Sequence, residues 1–185
     1  MTASSRPLVV LVGPPGSGKT SVGRALAGLT GNGFRDTDVD IEATAGRPIP
    51  DIFVTDGEPV FRAMERAAVA TALAEHTGVL ALGGGSIMAE QTRAALEPHT
   101  VVFLSLTMPT GVKRTGLATN RPLLTGVNPR ATYKSLLDAR QHLYEEVATL
   151  VVQTDTLTVD EVAAVIVDQL GLKNKVGLQH KLGSS

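Results

Sequence analysis

The residues with the clearest chemical signature lie near the amino terminus, where the segment Gly13-Pro-Pro-Gly-Ser-Gly-Lys-Thr20 fits the phosphate-binding pattern G-x-x-x-x-G-K-[ST]. Glycines at positions 16 and 18 let the backbone aim several N–H groups at one point, and a following helix would add the positive end of its dipole. The lysine can reach the outer phosphates of a nucleotide, and the threonine hydroxyl can ligate Mg²⁺. We therefore predict a nucleotide site with these ligands: Gly16, Ser17, Gly18, Lys19, Thr20 and Ser21.

Phosphate binding alone does not say what the nucleotide is for, and the rest of the chain narrows the choice. A GTPase needs the guanine-reading string Asn-Lys-x-Asp after a strand, but Asn174-Lys-Val-Gly177 lacks the aspartate and lies close to the carboxyl terminus. An ordinary ATPase ends an apolar strand in an acidic pair, and the run that ends at Asp155 has no accompanying glutamate. These features favour a small kinase over a machine that hydrolyses its nucleotide.

Two carboxylates, Asp36 and Asp38, follow the second predicted strand and should lie at the same sheet edge as the phosphate loop. One of them can hold Mg²⁺ through water, and the other can accept a hydrogen bond from an acceptor hydroxyl. The alternative is that Asp36 or Thr37 only caps a helix.

Arg62 and Arg66 lie four residues apart on one predicted helix, with Glu65 between them. Like charges at this spacing repel slightly, so an anionic partner would relieve the strain, although Glu65 can do the same. The alternative is an ordinary solvated helix face.

Further along the chain, Gly83-Gly-Gly85 directly follows an apolar run, which would let a ligand approach the backbone closely. Residues 116–129 form the longest predicted loop, and Arg121 within it could stabilise a transferring phosphoryl group as part of a lid. Arg140 lies beside the apolar stripe of the next helix, where it could snorkel to water or point into a cleft.

The elements that must position these residues alternate between strand and helix. Short, continuously apolar runs predict strands at Leu8–Val12, Val79–Leu82, Val101–Leu104 and Leu150–Val152, with a weaker strand at Gly33–Asp36. Helical periodicity follows at Lys19–Leu29, around Phe61–Ala72, at Thr132–Tyr144 and from the capping box Thr158-Val-Asp-Glu161 to about Leu170. This order predicts an α/β fold with a mostly parallel sheet and helices on both faces.

Length and composition restrict the classes of protein to which this chain can belong. The chain has 185 residues, which suits a single domain, predicted to span residues 1–171 with a loose tail at 172–185. A net charge of −1 and only 3% aromatic residues argue against nucleic acid as a partner. The chain has no cysteine, which excludes a thiol nucleophile and cysteine-ligated metal. No apolar run is long enough for a membrane helix, so we expect a soluble cytoplasmic protein, with a monomer as the default.

The order and spacing of these motifs closely resemble the shikimate kinase family over about Leu8–Leu170. The most specific part is Asp51-Ile-Phe-x-x-x-Gly57-Glu-x-x-Phe-Arg62-x-x-Glu65; the phosphate loop, Asp-Thr-Asp, Leu82-Gly-Gly-Gly85, Arg121-Pro-Leu-Leu124 and Arg140-x-x-x-Tyr144 accompany it. The resemblance implies a three-layer P-loop fold like that of nucleoside monophosphate kinases, with a central five-stranded parallel sheet and a lid. It also implies transfer of the γ-phosphoryl group of ATP to the 3-hydroxyl of shikimate, with Mg²⁺ as cofactor.

On the acceptor side, the resemblance gives a role to each residue that matches a motif. Asp38 is similar to the carboxylate that binds and orients the shikimate hydroxyls and can act as base. Arg62 and Arg140 are similar to the pair that clamps the shikimate carboxylate, which suits the bidentate geometry of guanidinium groups. Gly84 and Gly85 would donate from their backbone to the substrate.

On the nucleotide side, Thr20 and Asp36 would hold Mg²⁺, Arg121 resembles the lid arginine that reaches the ATP phosphates, and Arg114 resembles the residue that packs on adenine. Glu65 would hold Arg62 in place. The substrate-binding segment would span residues 37–66, and its pocket walls would include Phe53, Phe61 and Leu123.

Three features depart from the family or have no counterpart in it. The lid sequence Leu117-Ala-Thr-Asn120 differs in detail, Thr154–Thr158 lacks a basic residue expected in some members, and the tail beyond Leu172 has no counterpart. Two other functions stay open: another small-metabolite kinase, such as a gluconate kinase, and a regulatory nucleotide-binding domain without catalysis. The first would not need two arginines for a ring carboxylate, and the second could lose Asp38 or Arg121.

Overall fold

Strands and helices alternate along the chain, as the computed structural model of residues 6–116 and 128–173 shows. The strands in these ranges are β1 (Val9–Val12), β2 (Phe34–Asp36), β3 (Val79–Ala81), β4 (Val101–Ser105) and β5 (Leu150–Gln153). The helices are α1 (Lys19–Thr30), α2 (Thr37–Ala45), α3 (Ile49–Thr55), α4 (Glu58–Glu75), α5 (Glu90–Leu96), α6 (Met108–Thr115), α7 (Pro129–Val147) and α8 (Val159–Gln169). A 3₁₀ turn covers Ser86–Met88.

The five strands form one parallel sheet in the order β2-β3-β1-β4-β5. All five predicted strands are present, and their bounds differ from the prediction by one residue at each altered end. The predicted α/β class with a five-stranded parallel sheet is confirmed. The order matters for function because it makes β1, β2 and β3 neighbours, so that the loops after them meet at one edge.

The core explains why a central strand such as β1 is continuously apolar. Along β1, Val9 and Leu11 face one layer with α1 and α8, whereas Val10 and Val12 face the opposite layer with α4 and α7. All four side chains are at most 1% exposed, so both faces of the sheet are covered. The protein therefore has the three-layer arrangement that the alternation of strands and helices predicts.

Four short helices were not predicted, namely α2, α3, α5 and α6. They contain seven to nine residues each, so too few turns are present to reveal a helical period. Proline lies in the first turn of α3 and α6, where the missing N–H costs nothing. The predicted capping box of α8 is present, with the Thr158 N–H donating to Glu161 Oε2 at 2.7 Å.

A third, smaller core cluster lies between α2, α3 and α4, around Ile41, Ile52 and Phe61. It holds these three helices together beside the carboxyl edge of the sheet, so the segment between residues 37 and 66 has packing of its own. None of the helices in the described ranges is long and apolar enough to cross a membrane.

At the carboxyl end, Leu172 packs on the α1–α8 core and its N–H donates to the Val167 carbonyl. This residue belongs to the predicted tail, so core packing continues into the start of that segment. Residues 174–185 of the tail, and residues 117–127 of the predicted lid, lie outside the described residues.

Candidate active site

Three loops meet at the carboxyl edge of the sheet and enclose one cavity of about 280 Å³. The phosphate loop follows β1, Asp36 ends β2, and the three glycines follow β3. The lining of the cavity combines residues predicted for the nucleotide side with residues predicted for the acceptor side: Gly16, Gly18, Lys19, Thr20, Ser21, Asp36, Asp38, Leu82, Gly84 and Arg114. The structure thus brings together residues that are separated by long stretches of sequence.

The phosphate loop has the backbone that its sequence predicts. Gly16 and Gly18 have φ angles of 83° and 88°, in the left-handed region that other residues rarely adopt. Gly18 also precedes the first residue of α1, so the amino end of that helix opens onto the loop. The Lys19 ammonium donates to the carbonyls of Gly13 at 2.7 Å and Pro14 at 3.2 Å, which holds it over the loop.

Asp36 links two elements of the site through its two carboxylate oxygens. Oδ1 accepts from the Asp38 N–H at 3.0 Å and caps α2, and Oδ2 accepts from the Thr20 hydroxyl at 2.9 Å. The helix-capping alternative is therefore realised, yet the same carboxylate also lies beside the threonine of the phosphate loop. This pair of hard oxygen atoms on a phosphate-binding cavity fits Mg²⁺, which usually takes only one or two protein ligands and completes its shell with waters and phosphates.

Asp38 lies in the first turn of α2 and closely faces residues 83–85, which we call the glycine loop. A Cβ atom at position 83 would lie 2.6 Å from Asp38 Oδ1 and 3.0 Å from Glu65 Oε2, so a side chain there would displace these carboxylates. The N–H of Gly83 donates to the buried Thr37 hydroxyl at 3.2 Å. The hydrogen bonds among the described residues do not use the N–H groups of Gly84 and Gly85, which remain available as donors.

Arg62 reaches the same loop from α4. Its Nη1 donates to Glu65 Oε1 at 2.8 Å, and its Nε and Nη2 donate to Glu58 Oε1 at 3.2 and 3.1 Å. Burial acts to lower the pKa of Arg62, but the two carboxylates outweigh it and raise the pKa above its usual value. The guanidinium therefore stays charged, and the predicted contact with Glu65 is present. Arg66, in contrast, is exposed.

Arg140 is 7% exposed, which is unusual for an arginine and resolves the choice between water and cleft in favour of the interior. It lies beside the hydroxyl of Tyr144, which is itself fully buried and also feels the charges of Arg62 and Glu65. Burial raises the pKa of Tyr144 to about 12, although the nearby arginines oppose this effect. Two guanidinium groups from different helices are thus brought to one side of the glycine loop.

Arg114, in the last turn of α6, also lines the cavity. Arg114 donates to the Thr154 carbonyl at 2.8 Å, the Thr154 hydroxyl at 3.0 Å and the Gly16 carbonyl at 3.3 Å. Arg114 therefore ties the phosphate loop to Thr154, the residue that follows β5.

Of the remaining predicted residues, two lie in the described part of the chain and two lie outside it. Phe53 and Phe61 pack together with ring centroids 4.6 Å apart, and the Arg62 guanidinium lies 5.2 Å from the Phe61 centroid. Arg121 and Leu123 lie outside the described residues.

Two residues with structural roles at the site were not predicted. Thr37, considered in the sequence only as a possible helix cap, ties α2 to the glycine loop instead, and Asp36 is the cap. Tyr133 donates from its hydroxyl to the Pro15 carbonyl in the phosphate loop at 2.7 Å. Nothing in the local sequence around Tyr133 indicates this contact, because its partner is 118 residues away.

Comparison with known proteins agrees with this geometry. The family model described as "Shikimate kinase" matches residues 15–171. The shikimate kinase family includes this chain. Its relatives in the family include the shikimate kinase of Salinispora arenicola, 62% identical over 157 residues that cover 85% of this chain and 93% of the relative. Another is the shikimate kinase of Saccharopolyspora erythraea, which is 58% identical over 171 residues that cover 92% of this chain and 98% of the relative.

A solved shikimate kinase from Acinetobacter baumannii, in complex with shikimate, superposes with a TM-score of 0.86 at 39% identity and covers 93% of this chain and 96% of its own. A gluconokinase from Sinorhizobium meliloti gives a TM-score of 0.58 at 20% identity, which indicates a shared fold only. The resemblance found in the sequence is thereby confirmed, and shikimate kinases are ATP-dependent enzymes that phosphorylate a hydroxyl group of shikimate.

Proposed function

We propose that this chain transfers the γ-phosphoryl group of ATP to the 3-hydroxyl of shikimate, which yields shikimate 3-phosphate and ADP. The observation that carries the proposal is the single cavity lined both by Lys19 and Thr20 of the phosphate loop and by Asp38 and Gly84 of the acceptor side. Phosphoryl transfer depends mainly on positioning and on neutralising charge, and a shared cavity supplies the first requirement.

On the acceptor side, Arg62 and Arg140 would bind the shikimate carboxylate through their guanidinium groups. The low exposure of both side chains strengthens this interaction, since charged hydrogen bonds gain strength where water is excluded. The pairing of Arg62 with Glu65 fixes one half of this clamp before substrate arrives. The N–H groups of Gly84 and Gly85 would donate to the bound ring.

Asp38 would accept a hydrogen bond from the reacting hydroxyl and hold it in line with the γ-phosphorus. In the transfer step, the hydroxyl oxygen bonds to the γ-phosphorus, the bond to the β,γ-bridging oxygen breaks, and the proton passes to the Asp38 carboxylate. ADP leaves with the bridging oxygen.

On the donor side, the backbone N–H groups around Gly16 and Gly18 would bind the phosphates, and Lys19 would move from the loop carbonyls to the β- and γ-phosphate oxygens. Thr20 and Asp36 would hold Mg²⁺, either directly or through water. When bound, Mg²⁺ neutralises phosphate charge during the transfer. Arg114 would position the base-binding side through its contacts with Thr154.

The experiment that tests this function measures ADP release by the purified protein with Mg-ATP in three reactions: with shikimate, with gluconate and without an acceptor. We expect release that depends on shikimate. Release with gluconate alone would keep the kinase chemistry and reject the assignment of Arg62 and Arg140. No release with either acceptor, together with tight ATP binding, would indicate a nucleotide-binding module.

A further inference from the structure

The chain contains two tyrosines, and both lie on α7 with their rings at most 1% exposed. They are about three helical turns apart and so project from the same face of the helix. The Tyr133 hydroxyl donates to the Pro15 carbonyl at 2.7 Å, and the Tyr144 hydroxyl donates to the Gly84 carbonyl at 2.5 Å. One helix therefore bonds to the phosphate loop at one point and to the glycine loop at another.

The geometry of the peptide bond gives these two contacts a consequence for the active site. Each peptide unit is planar, and no cis peptide bond occurs in the described residues, so a carbonyl and the N–H of the next residue point in opposite directions. A hydroxyl that holds the Pro15 carbonyl therefore directs the Gly16 N–H away from α7. In the same way, the bond to Gly84 directs the Gly85 N–H away from α7.

Both hydroxyls are held rigidly by the packing of their rings. Tyr144 stacks on Phe103 with centroids 5.0 Å apart. The Tyr133 ring occupies the space beside Gly111 of α6, where a Cβ atom would lie 2.2 Å from the tyrosine Cζ. The rings cannot shift without disturbing the core, so the two hydroxyls are fixed points for the loops.

In the described residues, the Pro15 and Gly84 carbonyls accept hydrogen bonds from the two tyrosines, whereas other peptide groups of the loops are held by Lys19, Arg114 and Thr37. Gly84 is flanked by glycines, whose peptide planes rotate easily, and it is only half-buried. The two loops also touch, since a Cβ atom on Gly84 would lie 3.4 Å from the Gly13 carbonyl oxygen and from Pro15 Cδ. A rotation of either peptide plane would therefore change the relative placement of donor and acceptor.

We propose that Tyr133 and Tyr144 are positioning residues for the proposed kinase reaction, on which this inference rests. Tyr133 orients the Gly16 N–H toward the nucleotide phosphates, and Tyr144 orients the Gly85 N–H toward the acceptor. One helix, α7, thus orients a backbone donor for each of the two substrates, although it belongs to neither loop.

The test compares Tyr133→Phe and Tyr144→Phe, which keep the rings and remove only the hydroxyls. We expect Tyr144→Phe to raise the KM for shikimate roughly three- to tenfold, with the KM for ATP changed less than about twofold. Tyr133→Phe should instead raise the KM for ATP roughly three- to tenfold and change the KM for shikimate less than about twofold. The matched control is Thr30→Val at the far end of α1, which removes another buried hydroxyl that donates to a backbone carbonyl, that of Leu26, at 2.8 Å. It should leave both KM values unchanged.

Thermal unfolding of all three variants separates positioning from stability, because each loses one buried hydrogen bond and should lose a similar amount of stability. An active wild type with unchanged KM values in both tyrosine variants, or with equal changes for both substrates, would overturn the inference. A wild type that does not use shikimate would reject the proposed function instead. In that case, calorimetry of ADP binding tests whether Tyr133 orients the phosphate loop. A roughly three- to tenfold weaker affinity for ADP in Tyr133→Phe supports this role, and an unchanged affinity overturns it.

Discussion

The guanidinium of Arg62 occupies the space where a side chain at position 85 would begin: a Cβ atom built on Gly85 would lie 2.3 Å from Arg62 Nη1. The absence of a side chain at Gly85 therefore lets the arginine reach the glycine loop, in addition to any donor role of the backbone. None of the three glycines has a positive φ, so at positions 83 and 85 it is close approach, and not backbone conformation, that disfavours a side chain.

Gly85→Ala should displace Arg62 while the residue itself remains in the chain. We expect the KM for shikimate to rise by roughly tenfold or more and the KM for ATP to change little, because the methyl group displaces one arm of the carboxylate clamp. The melting temperature should fall only modestly: the displaced atoms are the far end of a flexible side chain, although their pairing with the buried Glu65 is disturbed. Steady-state kinetics with each substrate varied, together with thermal unfolding, checks both expectations.

Gly78→Ala provides the matched contrast. A Cβ atom at this position would lie 2.1 Å from the Gly33 carbonyl oxygen, which is backbone and cannot move aside easily. We expect a loss of about 1–3 kcal/mol in the free energy of unfolding, with both KM values close to those of the wild type. The opposite pattern, with Gly85→Ala less stable and kinetically normal, would contradict this account of the glycine loop.

Arg62→Ala and Arg140→Ala should both raise the KM for shikimate by about 10- to 100-fold, because each removes a charged hydrogen-bonding partner from a site with little water. The KM for ATP should stay within about twofold of the wild-type value, because the predicted phosphate ligands lie on the phosphate loop and the start of α1, and not on α4 or α7. The measurement is a pair of saturation curves for each variant. Equal effects on both substrates would reject the clamp.

Lys19→Ala should abolish turnover and leave the fold intact. The Lys19 ammonium donates to the Gly13 and Pro14 carbonyls and to the Ser17 hydroxyl, all in the phosphate loop. Its side chain is not part of the hydrophobic core clusters, so its loss should not disturb core packing. We expect a decrease in kcat of at least about 100-fold, with an unchanged circular dichroism spectrum. Retained activity would show that the phosphate loop does not act as proposed.

The stability of the protein should depend on Asp155 at acid pH. Partial burial acts to raise the pKa of this carboxyl, but hydrogen bonds from Thr107 and Thr110 at the start of α6 outweigh it and lower the pKa to about 2. Because the folded pKa is below the unfolded value of about 3.9, this contribution is complete above that value and disappears as the pH falls toward 2. Solvent screening limits it to about 0.5–1 kcal/mol.

Asp155→Asn should therefore lower the free energy of unfolding at pH 7 by about that amount and reduce its pH dependence between about pH 4 and pH 2. Urea denaturation at a series of pH values measures both. A parallel pH dependence in wild type and variant would show that the carboxylate of Asp155 does not contribute.

Some of the site was predictable because it depends on contiguous residues. The phosphate loop is an example, because its two glycines in the left-handed region and its adjoining helix are specified by a few neighbouring residues. The central strands β1, β3 and β4 were predictable for a similar reason, since a strand covered on both faces is apolar almost throughout, whereas the edge strand β2 contains Arg35 and Asp36 and gave only a weak signal. Short helices such as α2 and α3 were not, because their ends are set by capping and by packing on α4.

The sequence by itself thus determined the phosphate loop, the five strands and the family, all of which reside in local patterns and in their order along the chain. Only the tertiary structure decided which side chains meet. The strand order β2-β3-β1 brings Asp36 and the glycine loop to the phosphate loop. The fold also turns Arg62 inward while Arg66 stays in water, and it gives each tyrosine a carbonyl partner, 118 residues away for Tyr133 and 60 for Tyr144. Contacts of this kind depend on how whole elements pack, and no property of the neighbouring residues specifies them.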